Sequence, residues 1–177
     1  MVGAVRMAGK ELIDLVILGI LHRTSVVEER LPAIAKSIVP DLWCPTSDVI
    51  AEAIERNKKF KFLICTRNLP RKLDITRAGK ERFQALISLR LEANAGTLCY
   101  VFEAIQFCFL DNAMPEIIQA VLEQQSADLS MRLAELKRRC EHCPDNGHYM
   151  RLWMGMERRL LETKAEVISE ACRKFSN

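Results

Sequence analysis

The first third of the chain has the hydrophobic pattern of three amphipathic helices. Over residues 11–21 the apolar positions recur every three or four residues, which predicts a first helix. Ser25, followed three residues later by Glu28, has the pattern of a capping box and predicts a second helix. Two prolines then indicate a loop, and Thr46 or Ser47 can cap a third helix.

After the third helix the pattern changes to alternation. Phe60, Phe62 and Ile64 alternate with other side chains, which is typical of a half-buried strand, and residues 72–75 alternate again after a turn that contains proline. Thr76 can cap a fourth helix. Three helices followed by a β-hairpin predict a winged helix-turn-helix domain. In such a domain the third helix enters the major groove of DNA and the hairpin, or wing, contacts the backbone.

The second half of the chain is predicted to be helical. A short apolar helix covers residues 98–110, and Pro115 suits the first turn of the next helix. The spacing of 4 and 3 residues that is typical of a coiled coil then appears at Leu122, Ser126, Leu129, Leu133, Leu136, Cys140 and Cys143.

The last predicted helix carries one apolar stripe that includes Leu160 and Val167. Long amphipathic helices bury little surface alone, so we expect a homodimer. The predicted dimerisation residues are Leu122, Leu129, Leu133, Leu136, Leu160 and Val167. The predicted fold is therefore mainly α, with a winged helix-turn-helix DNA-binding domain at 1–95 and a dimerisation domain of antiparallel, coiled-coil-like helices at 96–177.

Composition narrows the class of protein. With 177 residues and 49% apolar residues, the chain can bury a core. No apolar run approaches the roughly 18–20 residues that cross a bilayer, and Glu11 and Asp14 argue against a signal peptide near the start. The seven cysteines are odd in number and lie mostly among apolar residues, which favours reduced thiols. We expect a cytoplasmic protein without a cofactor.

Positive charge is concentrated in the predicted wing and its flanks. The net charge is only +3, yet residues 56–82 hold ten Lys or Arg residues against Asp74 and Glu81. A solvated basic face would explain this pattern, but cations on a wing favour contact with the phosphates of double-stranded DNA. The predicted DNA-binding residues are Thr46, Ser47, Arg56, Lys58, Lys59, Arg67, Arg71 and Lys72.

Acidic side chains on the third helix oppose that prediction. Asp48, Glu52 and Glu55 would repel phosphate, although a carboxylate can accept a hydrogen bond from cytosine. A protein of the same fold with weak or lost DNA binding is therefore the alternative.

The segment CEHCPDNGH suggests three roles for its sulfur atoms. Cys140, Cys143 and His148 could bind zinc, the two cysteines could form a redox pair, or they could pack on the helix seam. Packing is favoured because both cysteines fall on the heptad, and we expect no metal.

Five aromatic residues could line a pocket for a small aromatic or apolar effector, although core packing is the more usual role. They are Trp43, Trp153, Phe102, Phe107 and Phe109.

No catalytic motif accompanies these features. The sequence has no glycine-rich phosphate loop, no nucleophile elbow and no HExxH pair. We therefore do not expect an enzyme.

Three segments resemble the PadR family of transcriptional regulators. LDITRAGKERFQAL is similar to the end of the PadR wing, where a Leu-Thr-x-x-Gly turn follows the second strand. FCFLDNAMPEIIQAVLEQQSADLSMRLAEL and YMRLWMGMERRLLETKAEVISEA are similar to the paired dimerisation helices of longer members. The resemblance implies a homodimeric DNA-binding regulator, usually a repressor, that a small and often aromatic effector or another stimulus releases from DNA.

The chain departs from the family pattern at two positions. The Gly-Tyr pair common at the start of the second helix is absent, and Ile50 stands where the third helix usually has a tyrosine. The alternative to a regulator is a dimeric protein-interaction scaffold of the same fold.

Overall fold

The structure is a computed structural model that describes residues 9–38, 43–66, 70–90, 97–141 and 147–175. The chain divides into two compact units, residues 1–117 and 118–177. The helices are α1 Gly9–Arg23, α2 Leu31–Ile38, α3 Ser47–Lys59, α4 Arg77–Ile87, α5 Thr97–Phe109, α6 Pro115–Glu141 and α7 His148–Phe175. The strands are β1 Val26–Val27, β2 Leu63–Cys65 and β3 Lys72–Ile75.

The three strands form one antiparallel sheet in the order β1-β3-β2. β2 and β3 make the predicted hairpin, in which Leu63 faces Ile75 and Cys65 faces Leu73. β1 adds to the other edge of β3, with Val26 opposite Leu73.

The predicted second helix is present, but it begins at Leu31 and is not capped by Ser25. The two residues after Ser25 are β-branched valines that pair with β3, and a short 3-10 turn at Glu28–Arg30 precedes α2. Pro32 then occupies the first turn of α2, where a missing N–H is tolerated.

The core of the first unit is built around α1. Every residue from Leu12 to Leu21 is buried, and the helix packs against α3 and α4. Phe83 of α4 is fully buried. Three helices, a β-hairpin and a following helix around this core form a winged helix-turn-helix domain, so the predicted fold class is confirmed.

α5 completes the core of the first unit. Phe109 is fully buried, meets the Phe83 ring edge-on at 6.4 Å, and packs so closely on Gly19 that no Cβ fits there. The guanidinium of Arg23 lies 5.1 Å from the centre of the Phe109 ring. Because α5 packs into this core, the first compact unit extends to residue 117, whereas the predicted domain boundary lies at residue 95.

The second unit contains most of α6 and all of α7. The end of α6 passes the start of α7, because Cys140 Sγ lies 3.4 Å from Met154 Sδ, while Leu136 and Glu157 line the same groove. The two helices are thus antiparallel. In the described ranges, no helix combines the length and hydropathy required to span a membrane.

Candidate nucleic-acid interface

The wing is closed by hydrogen bonds next to its tip. The Lys72 N–H donates to Thr66 Oγ1 at 3.0 Å, and the Thr66 N–H donates to the Lys72 carbonyl at 2.7 Å. Arg71 and Lys72 are both exposed there. Arg67, the third cation predicted at this turn, lies outside the described residues.

Thr76 fixes the base of the wing to α4. Its Oγ1 accepts from the Gly79 N–H at 3.0 Å, as predicted for a helix cap, and the hydroxyl lies 2.7 Å from the Lys61 carbonyl, to which it donates. The Thr76 N–H also donates to the Phe62 carbonyl at 2.9 Å. The threonine and glycine of the wing-exit motif therefore have structural roles.

The connection from α3 into β2 is a Schellman turn. The Phe62 N–H donates to the Asn57 carbonyl and the Lys61 N–H donates to the Lys58 carbonyl, both at 2.9 Å. Lys61 has a φ of 59°, the left-handed conformation that glycine usually adopts in this turn. The predicted strand from residue 60 consequently starts only at Leu63.

At the start of α3, two predicted phosphate-binding residues have partners within the chain. Thr46 Oγ1 caps the helix by accepting from the Val49 N–H at 3.5 Å. Ser47 Oγ accepts from Lys36 Nζ at 2.9 Å. Lys36 was not among the residues predicted from the sequence, although the end of the second helix lies near the start of the third in a helix-turn-helix motif.

The side chain of Arg56 is held by hydrogen bonds to α1. It donates to Asp14 Oδ1 at 2.7 Å and to the Lys10 carbonyl at 3.2 Å, and its neighbour Asn57 donates to the same Asp14 oxygen at 2.6 Å. Asp14 and Asn57 are buried. The guanidinium therefore ties α3 to α1.

Lys58 is also held by carboxylates. Its ammonium contacts Glu28, which follows β1, and lies 2.9 Å from Glu55 Oε1. Burial is the largest single influence and lowers the pKa of Lys58, but the hydrogen bonds to these two carboxylates and their negative charges together outweigh it, so the pKa is raised. Of the three acids that oppose DNA binding on α3, Glu55 is thus partly neutralised.

The outward side of α3 remains acidic and apolar. Asp48, Val49 and Glu52 are exposed. Ile50, which stands where the PadR pattern has a tyrosine, is fully buried. Lys59 adds an exposed cation at the end of the helix.

The remaining cations of residues 56–82 divide into two groups. Arg77 lies 3.2 Å from Glu81, and Arg82 lies 3.6 Å from Glu11, so these two arginines are paired with acids. Among the residues that the structure describes, five other cations are exposed and form no salt bridge with a carboxylate. They are Lys59, Lys61, Arg71, Lys72 and Lys80.

The predicted dimerisation residues fall into two groups. Leu122, Leu129 and Leu136 are buried within the single chain and Leu133 is half-buried, while Leu160 and Val167 are 55% and 46% exposed. Ser126 and Cys140, which the heptad places on the seam, are exposed, and Gln125 is buried instead.

A second apolar stripe follows α7. Its members are exposed and follow one another at intervals of three, four or seven residues, roughly a third of a turn from the side that carries Met154 and Ile168. They are Tyr149, Trp153, Met156, Leu160 and Val167.

The aromatic residues that could line an effector pocket differ in burial. Phe102 and Phe109 are buried in the core of the first unit, and Trp43 is half-buried against that core. Trp153 is exposed on α7.

The candidate zinc ligands do not form a metal-binding cluster among the described residues. Cys140 and His148 are exposed, and Cys143 lies outside the described residues. Within the described ranges, no group of three or more His, Cys, Asp or Glu side chains is placed to hold a metal.

Comparison with known proteins finds likeness among solved structures alone. No family model matches the chain, and no curated protein matches it. Bacillus subtilis PadR in complex with p-coumaric acid is 12% identical, with a TM-score of 0.43 over 97% of this chain and 99% of that chain. The same protein in complex with operator DNA is 12% identical, with a TM-score of 0.41 over 93% and 99%.

A PadR-like transcriptional regulator from Bacillus cereus is 11% identical, with a TM-score of 0.40 over 93% of this chain and 98% of that chain. These neighbours are regulators of the family that the sequence resembles. At such identities and TM-scores, the likeness assigns no activity and no site to this chain.

Proposed function

We propose that the chain is a homodimeric, PadR-like transcriptional regulator that binds double-stranded DNA through its wing. The observation that carries the proposal is the pair of exposed cations, Arg71 and Lys72, at the tip of a hairpin that Thr76 fixes to the winged-helix core. Exposed cations of this kind contribute sequence-independent affinity for phosphate.

The predicted DNA-binding residues divide into those that are exposed and those that have partners within the chain. Lys59, Arg71 and Lys72 are exposed and are proposed to contact phosphate, and Lys36 joins them beside the start of α3. Arg56 and Lys58 contact Asp14, Glu28 and Glu55, so we assign them to the fold. Thr46 and Ser47 keep their backbone N–H groups at a helix N-terminus, where a phosphate can bind.

A homodimer is proposed from the exposed stripe of α7. Apolar side chains in a row along a long helix are stabilised when a second copy covers them. Repression and release by a small aromatic or apolar effector belong to the proposal through the family resemblance.

A second candidate function is a dimeric protein-interaction scaffold with weak or lost DNA binding. The exposed carboxylates Asp48 and Glu52 favour it, because they lie on the helix that a winged helix-turn-helix protein inserts into the major groove.

Selection from genomic DNA distinguishes the two functions. The purified protein is mixed with sheared DNA of its source genome, and the bound fraction is sequenced at about 50 and 200 mM salt. A regulator enriches discrete sites with two related half-sites, and the enrichment falls steeply at the higher salt. No retention of DNA at the lower salt supports the scaffold and contradicts the regulator.

A further inference from the structure

Two phenylalanine rings are stacked at the turn between α3 and β2. The ring centroids of Phe60 and Phe62 are 5.8 Å apart, and the ring planes differ by 29°. Phe62 is half-buried and packs against the core of the first unit, whereas Phe60 is 60% exposed. The stack therefore leads from the core to the solvent and ends in a ring that is largely uncovered.

The main chain holds this pair of rings in place. The Phe60 N–H donates to the Arg56 carbonyl at 3.0 Å, and the Phe62 N–H donates to the Asn57 carbonyl at 2.9 Å. The Phe62 carbonyl in turn accepts from the Thr76 N–H at 2.9 Å. A side chain whose backbone and inner face are already fixed loses little conformational freedom when a ligand binds.

Both sequence neighbours of Phe60 are exposed lysines. Lys59 and Lys61 form no salt bridge with a carboxylate in the part of the chain that the structure describes. Lys61 also has a φ of 59°, which costs a residue with a Cβ atom more than it costs glycine. Residues in such conformations cluster at functional sites, so the strain indicates a role for the lysine side chain.

An exposed ring between two cations suits a nucleic acid that has an unpaired base. Proteins that bind single strands combine aromatic side chains, on which bases stack, with cations that track the phosphates. Bases inside a duplex already stack on one another, so an unstacked base is the one that offers its face to a side chain. A purely apolar partner would leave the two lysines without a counter-charge, whereas phosphates supply it.

We propose that Phe60 is a stacking platform for an unpaired base of a single-stranded nucleic acid, with Lys59 and Lys61 in contact with the neighbouring phosphates. Phe62 supports the platform from the side of the core. This site goes beyond the contact of the wing tip with duplex phosphates and does not depend on it.

Oligonucleotides of equal charge, with and without bases, test the site on the full chain. The probes are a fluorescent oligothymidylate of about 12 nucleotides and an abasic oligomer of the same length, which keeps the phosphates. In fluorescence anisotropy at low salt, the wild type is expected to bind oligothymidylate about tenfold more tightly than the abasic oligomer. Phe60→Leu should abolish this preference without changing the affinity for the abasic oligomer, and Phe60→Trp should retain the preference.

The controls separate stacking from charge. Phe175→Leu makes the same change at a ring that is 40% exposed on α7, so it should keep the preference. Lys61→Ala should weaken the binding of both oligomers by a similar factor. Arg71→Ala with Lys72→Ala should also leave the preference unchanged, so that a failure of the wing-tip proposal is distinguishable from a failure of this one.

Oligouridylate of the same length is measured in parallel, because RNA could supply the same base chemistry. Tighter binding of either base-carrying strand than of the abasic oligomer, lost in Phe60→Leu, supports the proposal. Equal affinities of the wild type for all three oligomers, no binding of any of them, or a preference that survives in Phe60→Leu would overturn it.

Discussion

Gly79 lies against the main-chain carbonyl of Phe62, so closely that a Cβ atom at residue 79 would overlap the Phe62 oxygen. The glycine N–H is held at the same time by Thr76 Oγ1 at 3.0 Å. The start of α4 is thereby packed directly on the segment that leads into the wing.

Gly79→Ala is expected to destabilise the protein by about 2–3 kcal/mol, because backbone must move to admit the methyl group. Urea unfolding at fixed protein concentration measures the change. Gly155→Ala is the matched control: no atom lies within 4 Å of its Cβ position, so this change should stabilise α7 by about 0.5–1 kcal/mol. Equal effects of the two substitutions would contradict this account of the wing base.

Lys61→Gly is expected to stabilise the protein by about 0.5–1 kcal/mol. The lysine has a φ of 59° in the Schellman turn after α3, which costs a residue with a Cβ atom more than it costs glycine. Lys61→Ala removes the same charge but keeps the Cβ atom, so it should bring no such gain. If both variants unfold at the same urea concentration, the left-handed turn is not the cause.

Asp14→Ala is expected to cost about 2–3 kcal/mol, because it leaves the half-buried Arg56 without its carboxylate and removes one acceptor of the buried Asn57. A double-mutant cycle with Arg56→Ala isolates the pair and should give a coupling energy of about 1–2 kcal/mol. Additive effects of the two substitutions would contradict the pairing of Arg56 with Asp14.

The sequence predicted the elements whose signals are local. Thr76 at the N-terminus of α4 and Pro115 in the first turn of α6 occupy the predicted positions, because capping and proline chemistry depend on a few neighbouring residues. The two-residue strand β1 could not be predicted from its own length, since Val26 is paired with Leu73 far along the chain.

The hairpin was predicted in position, but the contacts of the cations around it were not. The wing and its cations follow from alternation and charge in the sequence. The pairing of Arg56 with Asp14, 42 residues away, depends on how α1 packs on α3, so charge counting overestimated the cations available to phosphate.

Leu160→Lys is expected to convert a dimer into a monomer without unfolding the chain, because Leu160 is already 55% exposed in the single chain. Light scattering should show a mass of twice 20.2 kDa for the wild type and 20.2 kDa for the variant. Ser169→Lys adds the same charge on another side of α7 and should stay dimeric. A Leu160→Lys protein that is still dimeric would place the interface elsewhere.

The salt dependence of DNA affinity tests the role of the wing most directly. Fluorescence anisotropy with a duplex gives the dissociation constant of the wild type, of Arg71→Ala with Lys72→Ala, and of a control pair on α6 and α7, Lys137→Ala with Arg173→Ala. The wing variant should bind every sequence more weakly, and its slope of log affinity against log salt should be shallower by about one unit per lost phosphate contact. The control should keep the wild-type slope. Identical slopes in all three proteins, or no affinity for DNA at about 50 mM salt, would contradict the proposed interface.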